Sequence, residues 1–163
     1  MSKASRNVSI ALATGFGSGF LPLAPGSWGA AVAAVGAWWL LDLSVVWYAI
    51  ATVVIFFVGI TVVNTVDDYF HSRGGAQSDN GKIVIDEWVG MLVTLLPLFY
   101  FEKSWLYVGI GYFLFRLFDA LKFGLAKIAD RAHGRWGVML DDVFAGMHAA
   151  VFFTIVLLIV ERL

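Results

Sequence analysis

Apolar residues follow one another along this chain in long stretches without charge, separated by short polar patches. The charge-free runs cover residues 7–41, 43–66, 88–101, 104–115 and 143–160. A helix that crosses a bilayer needs about 20 mainly apolar residues, so the second and last runs read as simple spans. The first run is longer than one span requires, but Gly15, Gly17, Gly19, Pro22, Pro25 and Gly26 interrupt its first half. That half reads as a re-entrant or interfacial segment, and residues 27–41 as a short helix. Broken backbone at membrane depth is tolerated only inside protein or facing a wet cavity. The third and fourth runs reach spanning length only if residues 83–87 and 116–121 extend them. This places Asp86, Glu87, Arg116 and Asp119 in helix ends near the interface. Ionisable residues at that depth are costly and point to function. The pattern predicts an all-α polytopic membrane helix bundle of about five spans. It forms a single domain over residues 1–163, with a glycine- and proline-interrupted N-terminal re-entrant or interfacial segment.

Composition agrees. Of 163 residues, 60% are hydrophobic and only 14% charged, and the mean hydropathy is +0.82. A soluble domain carries about 25% charged residues, so there is too little polar material here to coat a water-facing surface. The net charge of −1 gives no field that would draw nucleic acid. The chain has no cysteine, which removes disulfides, thiolate metal sites and cysteine nucleophiles together. Lys3 and Arg6 precede an apolar stretch that continues to Leu41. A secretory signal has a shorter apolar core and a cleavage site, so an uncleaved start is expected.

Charge then orients the bundle. With five spans and the N-terminus inside, Lys3, Arg6, Arg73, Lys82, Arg116, Lys122, Lys127, Arg131 and Arg135 lie on the inner side, and only Lys103 and Arg162 on the outer. That is the positive-inside bias. The acids divide the same way, which the rule does not require. Asp67, Asp68, Asp79, Asp86, Glu87, Asp119, Asp130, Asp141 and Asp142 are inner, against Asp42, Glu102 and Glu161 outer.

A surface this dense in both signs has a specific chemistry. Carboxylate oxygens are the hard ligands that Mg²⁺ prefers, with phosphate and water completing its shell. Arg and Lys are the usual phosphate contacts. Together on the inner face they suit a phosphorylated headgroup, with metal-activated water as nucleophile. Adjacent acids Asp86 and Glu87 open the third span. Arg116, Asp119 and Lys122 stand three apart, and residues three apart are neighbours on a helix. Asp141 and Asp142 stand where the last span is expected to begin, and Asp130, Arg131, His133 and Arg135 lie in the loop between.

Structural readings stand beside these. Asp141 could simply cap the last helix, and Asp86–Glu87 the third, because acids suit helix N-termini. Arg116, Asp119 and Lys122 could be a structural ion-pair stripe. Asp67 and Asp68 read as the start of a solvated loop, and His71 and His148 as structural. Ser27, after Pro25-Gly26, reads as an N-cap, and a helix N-terminus can hold an anion.

Four blocks of residues also resemble a known family. Gly15-Phe16-Gly17-Ser18-Gly19 with Pro22 and Ala24-Pro25-Gly26-Ser27 form the first, and Ile83-Val84-Ile85-Asp86-Glu87-Trp88-Val89-Gly90-Met91 the second. Phe115-Arg116-Leu117-Phe118-Asp119-Ala120-Leu121-Lys122 and Gly137-Val138-Met139-Leu140-Asp141-Asp142-Val143-Phe144-Ala145-Gly146 complete the set. In this order they resemble the phosphatidylglycerophosphatase A family over nearly the whole chain. The resemblance implies a Mg²⁺-dependent phosphatase of the bacterial inner membrane, multi-pass, with its site on the cytoplasmic face. It would convert phosphatidylglycerophosphate to phosphatidylglycerol and phosphate. It further implies Asp86, Glu87, Asp119, Asp141 and Asp142 as catalytic, with Asp86, Glu87, Asp141 and Asp142 holding metal. Arg116, Lys122 and Ser27 would contact phosphate, and Asp130 and Arg135 are further candidates. Partners would be the lipid substrate and the bilayer, with room for a homo-oligomer. The chain departs from the family where Phe123-Gly124 follow Lys122 in place of Pro-x-Pro, and where Ser27 replaces a usual Thr. Two readings from other classes compete: a small cation transporter and a non-catalytic membrane scaffold. A transporter should carry acids near the bilayer midplane, whereas here they gather at one face.

Overall fold

The structure, a computed structural model, describes residues 2–71, 81–122, 124–131 and 135–162. Among them it is all-helical. The helices are α1 (Lys3–Ala13), α2 (Pro25–Leu40), α3 (Val45–His71), α4 (Ile85–Leu95), α5 (Trp105–Leu121), α6 (Leu125–Arg131) and α7 (Arg135–Val160), with 3-10 turns at Ser18–Phe20 and Leu96–Phe99. Two of them are long and apolar enough to cross a membrane, over Val45–Val66 and Arg135–Val160.

The first charge-free run divides differently from the reading above. Its start is helical, because Ser2 caps α1 by accepting the Ser5 N–H at 3.1 Å. Irregular backbone is confined to the stretch between α1 and α2. There Gly15, Phe16 and Gly17 all take positive φ, and so do Leu23 and Ala24. Helix α2 begins at Pro25, with Ala24 in the N-cap position at φ 58°. Ser27 is therefore inside the first turn and is not the cap; proline fixes φ at a helical value and lacks the N–H that a first turn leaves unused. Asp67 and Asp68 fall within α3, which runs on to His71, and do not start a loop. Ser104 caps α5 by accepting the Tyr107 N–H at 3.2 Å, and α5 then runs unbroken through Arg116 and Asp119. Helix α4 is short. Eleven residues rise about 16 Å at 1.5 Å each, and Pro97 continues it only as a 3-10 turn.

Short as it is, α4 is the centre of the bundle and packs against α2, α3, α5 and above all α7. On one side Ala30, Ala33, Ala34 and Ala37 of α2 share a core with Met91, Leu92, Leu95, Phe115 and Phe153. Alanine at i, i+3, i+4 and i+7 gives α2 a smooth stripe that a neighbouring helix can approach closely. On the other side Ile60, Val63 and Val66 of α3 pack with Ile85, Val89 and Met139. Tyr48, fully buried, donates its hydroxyl to the Leu92 carbonyl at 2.8 Å and ties α3 to α4.

The α4–α7 contact is closer than side chains would permit. A Cβ on Gly146 would overlap the Gly90 carbonyl oxygen, and one on Gly90 would stand 2.7 Å from the Asp142 carbonyl oxygen. Thr94 donates its hydroxyl to the Gly90 carbonyl at 2.9 Å, and the Gly146 carbonyl lies 3.4 Å away. At the end of the bundle away from Asp86, Lys103 pairs with Asp42, donates to the Trp38 carbonyl at 3.2 Å and lies over the Trp38 ring, which stacks on Trp105 at 4.0 Å.

Candidate active site

The acids converge at one end of α4. Asp86 and Glu87 occupy its first turn, where negative charge is favoured by the helix dipole. Neither caps it: Val84 is the N-cap residue and makes no side-chain cap bond. Asp86 Oδ1 accepts the Glu87 N–H at 3.1 Å.

Asp141 and Asp142 are both buried, at 7% and 4% exposure. The expectation that they stand at a helix start is wrong. Helix α7 begins at Arg135, so they lie nearly two turns inside it, where every backbone N–H already has a helical acceptor. Capping is removed as an explanation for either.

These residues divide into three linked groups. One carboxylate oxygen each from Asp86, Glu87 and Asp142 falls within 4.8 Å of the others. Asp141 is not one of this trio but is near enough to Asp86 and Asp142 for their charges to interact, and its Oδ2 is 2.7 Å from Lys122 Nζ. Lys122 ends α5 with φ 39°, a left-handed backbone that a non-glycine residue adopts at a cost. Arg116 and Asp119 form the third group, with Nη1 to Oδ2 at 2.7 Å but out of hydrogen-bonding alignment, so the contact is mainly charge on charge. Asp119 in turn lies against Asp142, which joins this pair to the first group.

Three carboxylates at this separation, largely out of water, repel one another strongly unless a cation or proton lies between them. Glu87 Oε2 is buried without a hydrogen-bond partner. An orphaned anionic oxygen in a cluster of hard oxygen donors, with no sulfur or imidazole among them, fits Mg²⁺.

The start of α2 closes the site from a fourth side. A Cβ on Gly26 would overlap Glu87 Oε1 and stand 3.4 Å from Arg116 Nη1. Ser27 follows Gly26 in that turn, and its carbonyl accepts the Tyr112 hydroxyl at 3.3 Å. In the sequence the Ser27 hydroxyl marks a candidate contact, whereas Gly26 shows only as a break in the apolar run, because a glycine carries no donor to count.

Other candidates stand apart. Arg135 is exposed at the first position of α7. Asp130 is in α6, but its side chain lies outside the described residues, as do His133 and the side chain of His71. The His148 ring stacks on Phe118 at 6.2 Å.

Comparison with known proteins finds a matching family and several similar relatives. The family described as Phosphatidylglycerophosphatase A matches residues 11–157. A Phosphatidylglycerophosphatase A of Escherichia coli K12 is 36% identical over 140 residues, covering 85% of this chain and 77% of its own length. Another, of Haemophilus influenzae, is 34% identical over 144 residues, covering 86% and 83%. A Bacteroides thetaiotaomicron protein, provisionally named a phosphatidylinositol-3-phosphatase, is 34% identical over 152 residues, covering 90% and 91%. No solved structure matches significantly.

Proposed function

Because the chain belongs to the phosphatidylglycerophosphatase A family, we propose that it is a Mg²⁺-dependent lipid phosphatase that converts phosphatidylglycerophosphate to phosphatidylglycerol and phosphate. The single observation that carries the reading is the convergence of Asp86, Glu87 and Asp142 to within 4.8 Å, with Arg116 and Lys122 on the flanks.

In the reaction, water adds to phosphorus, the bond from phosphorus to the glyceryl oxygen breaks, and a proton passes from the water to that oxygen. Asp86, Glu87 and Asp142 would hold Mg²⁺, which supplies charge neutralisation and water activation. Arg116 and Lys122 attract the phosphate dianion. Each cation already stands beside a carboxylate, Asp119 and Asp141, which fixes its direction before substrate arrives. Preorganised charge of this kind acts without reorganising during the reaction. The cluster of acids offers proton acceptors within reach of the attacking water.

Two observations suit a lipid substrate. An apolar groove of about 300 Å³ is lined by Phe56 and Phe57 of α3, Val89 and Val93 of α4, and Leu140 and Val143 of α7. Leu140 and Val143 flank the acid pair in sequence, so an acyl chain there would lie at the same level of α7 as the acids. The distribution of basic residues supports a multi-pass arrangement of about five crossings in the inner membrane, with the acids facing the cytoplasm.

The test is phosphate release from phosphatidylglycerophosphate by detergent-purified protein, with and without Mg²⁺. Phosphatidylinositol 3-phosphate is the comparison substrate. Release that requires Mg²⁺ and prefers phosphatidylglycerophosphate is expected; no release under any divalent ion would sink the reading.

A further inference from the structure

Helix α2 carries no ionisable residue in its first turn, yet it touches the reacting end of the site at one position. Leu23 and Ala24 both adopt left-handed backbone, at φ 60° and 58°, immediately before Pro25. Left-handed φ at two successive residues with side chains is costly and persists only where the surroundings enforce it. The corner it makes turns the chain so that α2 starts against α4. The Tyr112 hydroxyl, bonded to the Ser27 carbonyl, holds the turn from the α5 side. In this position Glu87 Oε1 fills the space a side chain at residue 26 would need. The Glu87 Cδ would be 3.1 Å from such a Cβ, and Arg116 Nη1 3.4 Å.

We propose that Gly26 is a positioning residue: its missing side chain is the seat in which the Glu87 carboxylate rests, and any larger residue there displaces Glu87 from Asp86 and Asp142. The inference rests on the phosphatase reading for its consequence in catalysis. Its steric core stands on the contact alone. What must yield to an added methyl group is the far end of a flexible side chain, not backbone. The fold therefore tolerates the change while the site does not. A glycine needed only for helix packing would behave in the opposite way, losing stability and keeping activity per folded molecule.

The experiment is a double-mutant cycle on the full chain in detergent, with wild type, Gly26→Ala, Glu87→Asp and the double variant, and Gly36→Ala as control. Nothing lies within 4 Å of a Cβ on Gly36, which sits in the same helix far from the acids. Gly26→Ala is expected to lower kcat at least about thirtyfold, since displacement of a reacting group by about 1 Å costs up to 100-fold. It should also shrink the rise in Tm that Mg²⁺ produces. Gly36→Ala should stay within about twofold of wild type, as surface changes away from such contacts do. Aspartate is one methylene shorter, so in the Glu87→Asp background the Gly26→Ala penalty should fall to about threefold or less, the non-additivity expected of residues in contact. Equal penalties in the two backgrounds, or a Gly26→Ala variant as active as wild type, overturn the proposal. Should Gly26→Ala fail to fold, the same cycle is read as yield of folded protein. Glu87→Asp must then restore it, or the proposal falls. Wild-type protein without Mg²⁺-dependent release would overturn the phosphatase reading itself and is a separate outcome.

Discussion

Lys122 Nζ lies 2.7 Å from Asp141 Oδ2, so the residue that caps the C-terminus of α5 is tied to an acid nearly two turns inside α7. The lysine is placed for this by a left-handed backbone, φ 39°, and 38% of its side chain remains open to solvent. It can thus hold Asp141 and still meet a phosphate.

Lys122→Ala and Lys122→Gly separate these two features. Both remove the ammonium and should raise KM more than they lower kcat, as loss of an interaction common to ground and transition states does. Glycine accepts φ 39° freely, so Lys122→Gly should be more stable than Lys122→Ala by about 1 kcal/mol. Steady-state kinetics and thermal melts of the two variants check both statements. Equal KM for wild type and both variants would remove Lys122 from phosphate binding.

Asp86→Asn, Asp141→Asn and Asp142→Asn should each lower turnover by at least about 100-fold, the scale of losing a catalytic electrostatic group. Without Mg²⁺ the Tm of Asp86→Asn and Asp142→Asn should stay level or rise, because removing one of three crowded like charges relieves repulsion. Near-normal turnover in Asp86→Asn and Asp142→Asn together would return the cluster to a structural role.

Chelation should abolish activity and Mg²⁺ restore it. The ion should also stabilise the fold, by about 2.7 kcal/mol at a hundredfold excess over Kd. That rise should be absent from Asp142→Asn. Turnover that survives exhaustive EDTA would exclude a metal role.

With no native cysteine, single substitutions report sidedness cleanly. Gly81→Cys and Arg135→Cys should react with an impermeant thiol reagent from the cytoplasmic side, and Glu102→Cys from the opposite side. All three positions are exposed. Labelling of Gly81→Cys and Arg135→Cys from different faces would separate the two halves of the site.

Residue types were legible where chemistry is written in the side chain. The acids of α4 and α7 and the cations of α5 were identifiable from the sequence, because charge in an apolar chain has few innocent explanations. Helix boundaries were less so. Asp141 looked like a start because aspartate favours N-caps, yet α7 begins at Arg135, and Gly137 is buried inside it. Likewise Pro25-Gly26-Ser27 contains a good capping residue, but the proline set the start and Ala24 took the cap position. Gly26, Gly90 and Gly146 were beyond reach, since what matters at each is a neighbour distant in sequence.

The glycine crossing of α4 and α7 determines how the site responds to strain. Gly90, four residues beyond Asp86, rests on the Asp142 carbonyl, and Gly146, four beyond Asp142, rests on Gly90, so the two helices touch within about one turn, 5.4 Å, of their acids. Backbone rests on backbone there, which makes the crossing a fulcrum with a short arm. A rock of about 10° around it shifts the acids by only about 1 Å over one turn of helix. The far end of α7, at Val160 about four turns away, swings several times further. A rocking motion about this crossing would therefore be felt mostly at the end remote from the chemistry and least in the spacing of the carboxylates.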